Sequence, residues 1–74
     1  MDVSLLQAGM IVENIYNGNM MGGHEIDGTI RTTGKTLDRH GERLVQVEYR
    51  LVGQNTSRVM LSWEFPEELT VCLL

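Results

Sequence analysis

A chain of 74 residues with a formal charge of −4 and one cysteine is the size of a single small domain, 1–74. One cysteine excludes an internal disulfide, and the apolar runs are far shorter than the roughly 20 residues that cross a bilayer. Without a cationic start followed by an apolar run, we expect no secretion signal and a cytoplasmic protein.

Charge is segregated along the chain. Between Arg31 and Arg58 lie six basic and three acidic residues, whereas the flanks hold seven acidic and no basic residues. A basic segment between acidic ends indicates contact with a charged partner or with another copy of the chain. The pattern does not identify that partner.

Glycine, asparagine and threonine divide the chain into short segments, which is typical of an all-β domain. The first predicted strand covers 10–16. A long irregular loop is predicted over 17–28, because this stretch contains four glycines and has no steady period. The second predicted strand covers 29–33, with turns at Gly34 and at His40-Gly41 before the next one.

The clearest alternation of apolar and polar residues lies in 43–52 and in 58–65. In the first segment, one face is predicted to be buried and carries Arg43, Val45, Val47, Tyr49 and Leu51. In the second, the predicted inward residues are Val59, Leu61, Trp63 and Phe65. We expect the two segments to pair as a hairpin through 53–57, with all these odd-numbered side chains in one interior. A change of Trp63 to alanine should then cost about 3 to 5 kcal/mol.

The chain after Phe65 predicts a short helical turn at Pro66-Glu67-Glu68-Leu69, because proline and acidic residues favour the first turn of a helix. A last strand is predicted over 70–74. An alternative for the centre of the chain is a helix over 36–47, since Leu37 and Leu44 fall near helical spacing. Gly41 in its middle disfavours that helix.

This order of elements resembles the SH3-like small β-barrels, including Tudor and KOW-type modules. The matching segments are 6–12, the re-entry at 28–30, the paired segments around 45–49 and 59–63, and the Pro66 turn before a closing strand. The resemblance implies a five-stranded SH3-like barrel with a short helical turn before the last strand. It also implies partner contacts through the long first loop, the hairpin tips and the exposed face of the central strands.

Plasmid-encoded type II dihydrofolate reductases are also short SH3-like barrels, and their functional strand has a Val-Gln-Ile-Tyr core. This chain has Val59-Met60-Leu61-Ser62 in the corresponding strand. The glutamine and tyrosine that meet the ligands are missing, so we do not expect that activity.

Catalytic and metal-binding motifs are incomplete. Gly34-Lys35-Thr36 matches the end of a phosphate-binding loop, but that motif needs a glycine where Thr29 stands. The candidate metal ligands lack the close spacing of zinc sites: His24, His40 and Cys72. The candidate nucleophiles have no histidine close in sequence: Ser4, Ser57 and Ser62. We therefore expect no enzyme, no cofactor, no metal and no small-molecule substrate.

The expected function is that of a non-catalytic binding or adaptor module, whose partner is a protein or a second copy of the chain. Methionines adapt to irregular surfaces, so Met20-Met21 is either a recognition tip or a plug for the barrel mouth. Leu44 and Met60 are expected to form an apolar spot on the outer strand face, and the Leu73-Leu74 end to be exposed. The candidate partner-binding residues are Met20, Met21, Arg31, Arg43, Leu44, Arg50, Arg58 and Met60.

Two alternatives remain open. A nucleic-acid-binding barrel would place the basic central hairpin on phosphates, with Tyr16 or Tyr49 stacking on a base. A small acidic inhibitor encoded by a phage or mobile element is suggested by size and acidity alone. If the chain forms homo-oligomers through its acidic flanks and basic hairpin, they should weaken as salt rises.

Overall fold

The computed structural model describes residues 1–53 and 58–73. The six strands are β1 (Ile11–Asn14), β2 (Met20–Met21), β3 (His24–Arg39), β4 (Glu42–Leu51), β5 (Met60–Glu64) and β6 (Leu69–Leu73), with 3-10 turns at Val3–Leu5 and Pro66–Glu68. Every strand pair is antiparallel, in the order β5-β4-β3-β1-β6, and β2 pairs with β3 beside this path. Over the described ranges the sheet is not closed, so β5 and β6 are its two edges. Nothing in these ranges is a helix of the length and apolarity that a bilayer requires.

The predicted loop over 17–28 contains the extra strand that raises the count from five to six. Met21 and His24 pair across a two-residue turn, in which Gly22 and Gly23 have φ values of +57° and +83°. Glycine adopts this left-handed conformation without the steric cost of a Cβ. Strand β3 therefore begins at His24, earlier than the predicted start of the second strand.

Strand β3 continues past Gly34, where the sequence indicates a turn. The pairing of β3 with β4 shifts register between Asp27 and Arg31 and again between Thr32 and Thr36. Gly28 and Gly34 lie in these two irregularities, each with φ of +88°. Such bulges bend a strand without ending it. The bent strand pairs with β1 as well as with β4.

Substitution of the two bulge glycines should separate backbone strain from steric contact. Gly28→Ala is expected to cost about 1 kcal/mol, because alanine is strained at this φ. Gly34→Ala should cost more, because its added Cβ would lie 3.4 Å from the Cβ and the backbone nitrogen of Ala8, whereas Gly28 has open space. Urea denaturation of both variants measures the difference. Equal costs would show that the approach of Ala8 is not tight in solution.

The turn between β3 and β4 excludes the alternative helix over 36–47. Arg39 pairs with Glu42 across His40 and Gly41, whose φ values are +51° and +79°. Two successive positive φ values are typical of a type I′ hairpin turn. The predicted turn at His40-Gly41 is therefore confirmed.

The ends of the chain follow the predicted elements with small shifts. Strand β1 ends at Asn14, earlier than predicted, because its side-chain oxygen accepts the backbone N–H groups of Tyr16 and Asn17 at 2.9 and 3.1 Å. This local bonding turns the chain away from the ladder.

The predicted helical turn at Pro66 is a 3-10 turn, and the last strand follows it. The hairpin-loop residues 54–57, the side chain of Leu73 and all of Leu74 lie outside the described residues.

The core is formed mainly by β3 and β4. Its buried members are Val12, Met21, Ile26, Ile30, Val45, Val47, Leu51 and Leu69. Val45, Val47 and Leu51 lie on the predicted inward face of β4, so this part of the alternation is confirmed. Asn14 and Thr32 are buried polar residues, and the hydroxyl of Thr32 accepts a hydrogen bond from the N–H of Met10 and donates one to the carbonyl of Gln7.

Candidate protein-binding surface

A row of large apolar side chains lies on the outer face of β5, which is the face turned away from the core. We call this set the β5 row: Val59, Leu61, Trp63 and Phe65. Val59 is 43% exposed, Leu61 58% and Phe65 41%, whereas Trp63 is half-buried. In the ladder with β4, Leu61 lies opposite Glu48 and Trp63 opposite Gln46. The β5 row therefore shares its face with polar residues of β4.

The sequence prediction for β5 is wrong, since it placed this row in the interior. Val45 pairs with Glu64, Val47 with Ser62 and Tyr49 with Met60. Directly opposite residues in an antiparallel pair share a face. The inward residues of β4 are odd-numbered and their partners on β5 are even-numbered, so the more apolar set of β5 faces out.

Met60 lies on the opposite face from the predicted one, and Leu44 lies on its predicted face but is buried there. Met60 is half-buried and packs against the core cluster, because it lies opposite Tyr49 on the inner face. Leu44 is buried on the other face, where it pairs with Leu37. The two residues are on opposite sides of the sheet and do not form the predicted apolar spot.

A shallow groove of about 260 Å³ adjoins the end of the β5 row near the β3–β4 turn. Its lining residues are Arg39, His40, Glu42, Leu44, Trp63 and Phe65. Leu44 is buried there while Phe65 remains exposed. The groove extends the apolar surface of β5 and surrounds it with polar and charged groups, which is the usual composition of a protein interface.

Strand β5 is also an edge of the sheet. Over the described residues it pairs with β4 on one side, and it is the last strand of the order. An edge strand presents unpaired N–H and C=O groups that another strand can bind. Natural edges are commonly protected by charges or bulges, whereas the outer face of β5 carries apolar side chains. Both features make β5 a candidate binding strand.

The basic residues predicted to form a wall are exposed but interleaved with carboxylates. Arg31 lies opposite Glu48 and Arg50 opposite Asp27, around a groove of about 400 Å³. Tyr49 also lines this groove, and the pKa of its phenol is raised, chiefly by partial burial and then by the charge of Glu64. These alternating charges leave no continuous basic surface in the groove.

Arg43 is bound to an acid of the neighbouring strand. Its guanidinium Nε lies 3.0 Å from the carboxylate of Asp38, and both side chains are largely exposed. This hydrogen bond and the opposite charge hold the pKa of Asp38 below its usual value and raise the pKa of Arg43. Arg43 therefore lies in a local ion pair within the β3–β4 hairpin. Arg58 is exposed just before β5.

The two adjacent methionines have different environments. Met21 is buried in the core cluster, so it cannot be part of an exposed recognition tip. Met20 is exposed on the opposite face of β2. The alternative in which one methionine folds back is therefore confirmed for Met21. Tyr16 is exposed in the preceding turn.

The residues considered for catalysis or metal binding are dispersed. Within 1–53 and 58–73 no three His, Cys, Asp or Glu side chains are grouped to hold a metal ion. Ser4 donates to Asp2, and Ser62 donates to Glu64 at 2.7 Å. Ser57 lies outside the described residues. The hydroxyl groups of Ser4 and Ser62 therefore serve local hydrogen bonds in the part of the chain that the structure describes.

Comparison with protein-family models gives no match, and neither curated proteins nor solved structures give one. We therefore infer function from the geometry of β5 and its surroundings.

Proposed function

We propose that this protein is a non-catalytic binding module that binds another protein through the β5 row. The observation that carries this proposal is the exposure of three large apolar side chains on one edge strand and directly beside its two ends: Leu61 in β5, Val59 just before it and Phe65 just after it. Exposed apolar side chains that are contiguous and bordered by polar residues mark interaction sites. A partner strand or apolar surface laid on β5 would remove them from water.

The SH3-like assignment is part of the same proposal. It is supported by the antiparallel order of β5, β4, β3, β1 and β6, and by the 3-10 turn that precedes the last strand. The long bent strand β3, which pairs with both β1 and β4, also suits a strongly curved small sheet. A curved sheet of this size leaves its binding surface on an outer strand face and on the edges.

A protein partner suits this surface better than a nucleic acid does. Phosphate binding needs a concentration of positive charge, whereas Arg31 and Arg50 stand opposite Glu48 and Asp27. The observation that favours nucleic acid is the presence of Tyr49 beside these arginines in the larger groove. That second candidate function therefore predicts binding that depends on Arg31 and Arg50 rather than on Leu61.

Affinity capture from the cells that encode the protein tests the proposal. Leu61→Asp should abolish capture of the partner, because a carboxylate in the centre of the β5 row would be buried in the complex. Leu5→Asp is the matched control, since Leu5 is an exposed leucine outside the β5 row. Circular dichroism verifies that both variants fold.

The expected result is a protein captured by the wild type and by Leu5→Asp, lost with Leu61→Asp, and retained after nuclease treatment. Capture that survives Leu61→Asp would refute the β5 row as the binding surface. Capture that is lost after nuclease treatment and after replacement of Arg31 and Arg50 would establish the nucleic-acid alternative instead.

A further inference from the structure

We infer that the partner of β5 is the β5 strand of a second copy, paired antiparallel about Leu61 to form a symmetric dimer. This inference rests on the proposed function, because it uses β5 as the binding strand. It adds which molecule binds β5 and which residues of the two strands lie opposite each other. The reasons are the symmetry of such a pair, the sequence of β5 and the position of two opposite charges.

Symmetry restricts the possible registers. A two-fold axis perpendicular to the sheet keeps the outer face of both copies on the same side. Since directly opposite residues in an antiparallel pair share a face, odd-numbered residues of β5 must oppose odd-numbered residues of the second copy. The axis must therefore pass through a residue paired with its own counterpart. Every register of this kind places the two β5 rows side by side on one face, where cross-strand side chains partly cover each other.

Charge and proline favour the register centred on Leu61 over the one centred on Ser62. With the axis at Leu61, and with the pairing extended two residues before β5, Val59 opposes Trp63 of the second copy and Arg58 opposes Glu64. With the axis one residue later, Glu64 would oppose the apolar Met60, and Arg58 would oppose Pro66, which has no N–H for the ladder. In the Leu61 register the outer-face pairs are therefore apolar, Arg58 faces an acidic residue, and Met60 lies opposite Ser62 on the inner face. The symmetry creates each of these pairs twice.

The carboxylate of Glu64 is half-buried on the inner face, at the last residue of β5. It accepts a hydrogen bond from the hydroxyl of Ser62 at 2.7 Å, and its other oxygen lies 3.5 Å from the side-chain nitrogen of Asn14. Arg58 is exposed at the opposite end of the strand, two residues before β5 begins. The segregation of charge along the chain therefore supplies one charge at each end of the same edge strand. In an antiparallel pair, the Arg58 end of one copy lies beside the Glu64 end of the other.

The dimer should be weak and sensitive to salt. One pair of short edge strands buries less than the roughly 1,200 Å² of a standard interface. The four charges lie at the ends of the paired segment, where ions screen them. Sedimentation velocity at protein concentrations from about 1 µM to about 1 mM covers the expected range. We expect a monomer–dimer equilibrium at low salt that shifts toward monomer in molar salt.

Charge reversal tests the register. Arg58→Glu should weaken the dimer about tenfold or more, because it places two carboxylates opposite each other at both ends. The double variant Arg58→Glu with Glu64→Arg should restore the dimer, since it exchanges the two charges. Lys35→Glu is the matched control, an exposed basic residue outside β5 that should leave the equilibrium unchanged.

Cysteine cross-linking tests the same register without altering Glu64. It therefore still tests the register if the double variant does not fold. In a Cys72→Ser background, Leu61→Cys should form a disulfide dimer under mild oxidation. Opposite residues lie about 4.5 to 5.5 Å apart between Cα atoms, within the range of a disulfide. Ser62→Cys is the control, and it should cross-link much less, because the thiols of the two copies are offset.

A protein that remains monomeric at about 1 mM in low salt would overturn the inference, as would a dimer indifferent to Arg58→Glu. Stronger cross-linking through Ser62→Cys than through Leu61→Cys would also overturn it. The proposed function fails separately: it is refuted when capture of a partner survives Leu61→Asp, or when capture depends on nucleic acid and on Arg31 and Arg50. If the protein is a monomer that captures a different protein through Leu61, the proposed function stands and the dimer is refuted.

Discussion

Replacement of Leu69 by alanine is expected to unfold most molecules at room temperature. Leu69 is 3% exposed and belongs to the core cluster, where it follows the 3-10 turn and pairs with Asn14 of β1. Loss of a buried leucine costs about 2 to 5 kcal/mol, which includes the transfer of its side chain to water and the cavity left behind. A domain of this size has a stability of only a few kcal/mol.

Leu61→Ala is the matched control for this prediction. The chemical change is the same, but Leu61 is 58% exposed on the outer face of β5, so the free energy of unfolding should fall by only about 0.5 kcal/mol. Urea denaturation monitored by far-ultraviolet circular dichroism measures both variants. A larger loss for Leu61→Ala than for Leu69→Ala would mean that β5 presents its odd-numbered face to the core, and the described register would be incorrect.

Replacement of Thr32 by valine should have the second largest effect on stability. The two side chains have nearly the same shape, so the variant removes only a hydroxyl. That hydroxyl is buried, accepts a hydrogen bond from the Met10 N–H at 3.0 Å and donates one to the Gln7 carbonyl. The buried Met10 N–H left without its partner costs about 1 to 3 kcal/mol, and loss of the part-buried hydrogen bond to Gln7 adds about 1 kcal/mol, so the total expected loss is about 2 to 4 kcal/mol.

Thr36→Val provides the control, because Thr36 is an exposed residue of the same strand. Its free energy of unfolding should change by less than about 0.5 kcal/mol. Hydrogen exchange adds a local measurement, since the Met10 amide should lose protection in Thr32→Val. Equal stability of Thr32→Val and the wild type would show that the hydroxyl does not hold the segment before β1 onto β3.

The outward position of the β5 row is unusual in energetic terms. Each large apolar side chain that stays in water forgoes about 1.5 to 3 kcal/mol of burial. The inner face of β5 instead contributes Met60, Ser62 and Glu64, two of which are polar. A strand that turns its more apolar face outward is less favourable for folding alone, and the protection of that face by a partner would recover the loss. This is the physical basis of the proposed binding role.

Several elements of the fold follow from the sequence because their causes are local. The type I′ turn needs positive φ at His40 and Gly41, and the 3-10 turn begins with the fixed φ of Pro66. The alternation in β4 identifies its buried residues, because side chains along one strand point to opposite faces in turn. These features depend on neighbours in the chain, and each was predicted without tertiary information.

Other features depend on residues that are distant in sequence. Gly34 indicates a turn in the sequence, but the strand continues because β4 pairs with β3 on both sides of this glycine. The sequence leaves Met21 open between a recognition tip and a residue that folds back, and a two-glycine turn places it in the core. In both cases glycine indicates a residue with positive φ. Whether that residue forms a turn or a bulge depends on pairing with the neighbouring strands.

The amino-acid sequence by itself determined the all-β class, the main turns, the inward face of β4 and the segregation of charge. Only the tertiary structure decided which face of β5 is exposed. Alternation identifies two faces of a strand but not the one that meets the core, and a shift of one residue in the pairing with β4 exchanges them. Hydrophobicity alone would choose the face with Leu61 and Trp63, whereas the ladder places Ser62 opposite the buried Val47. The candidate site arises from this difference, so it could not be predicted from the sequence.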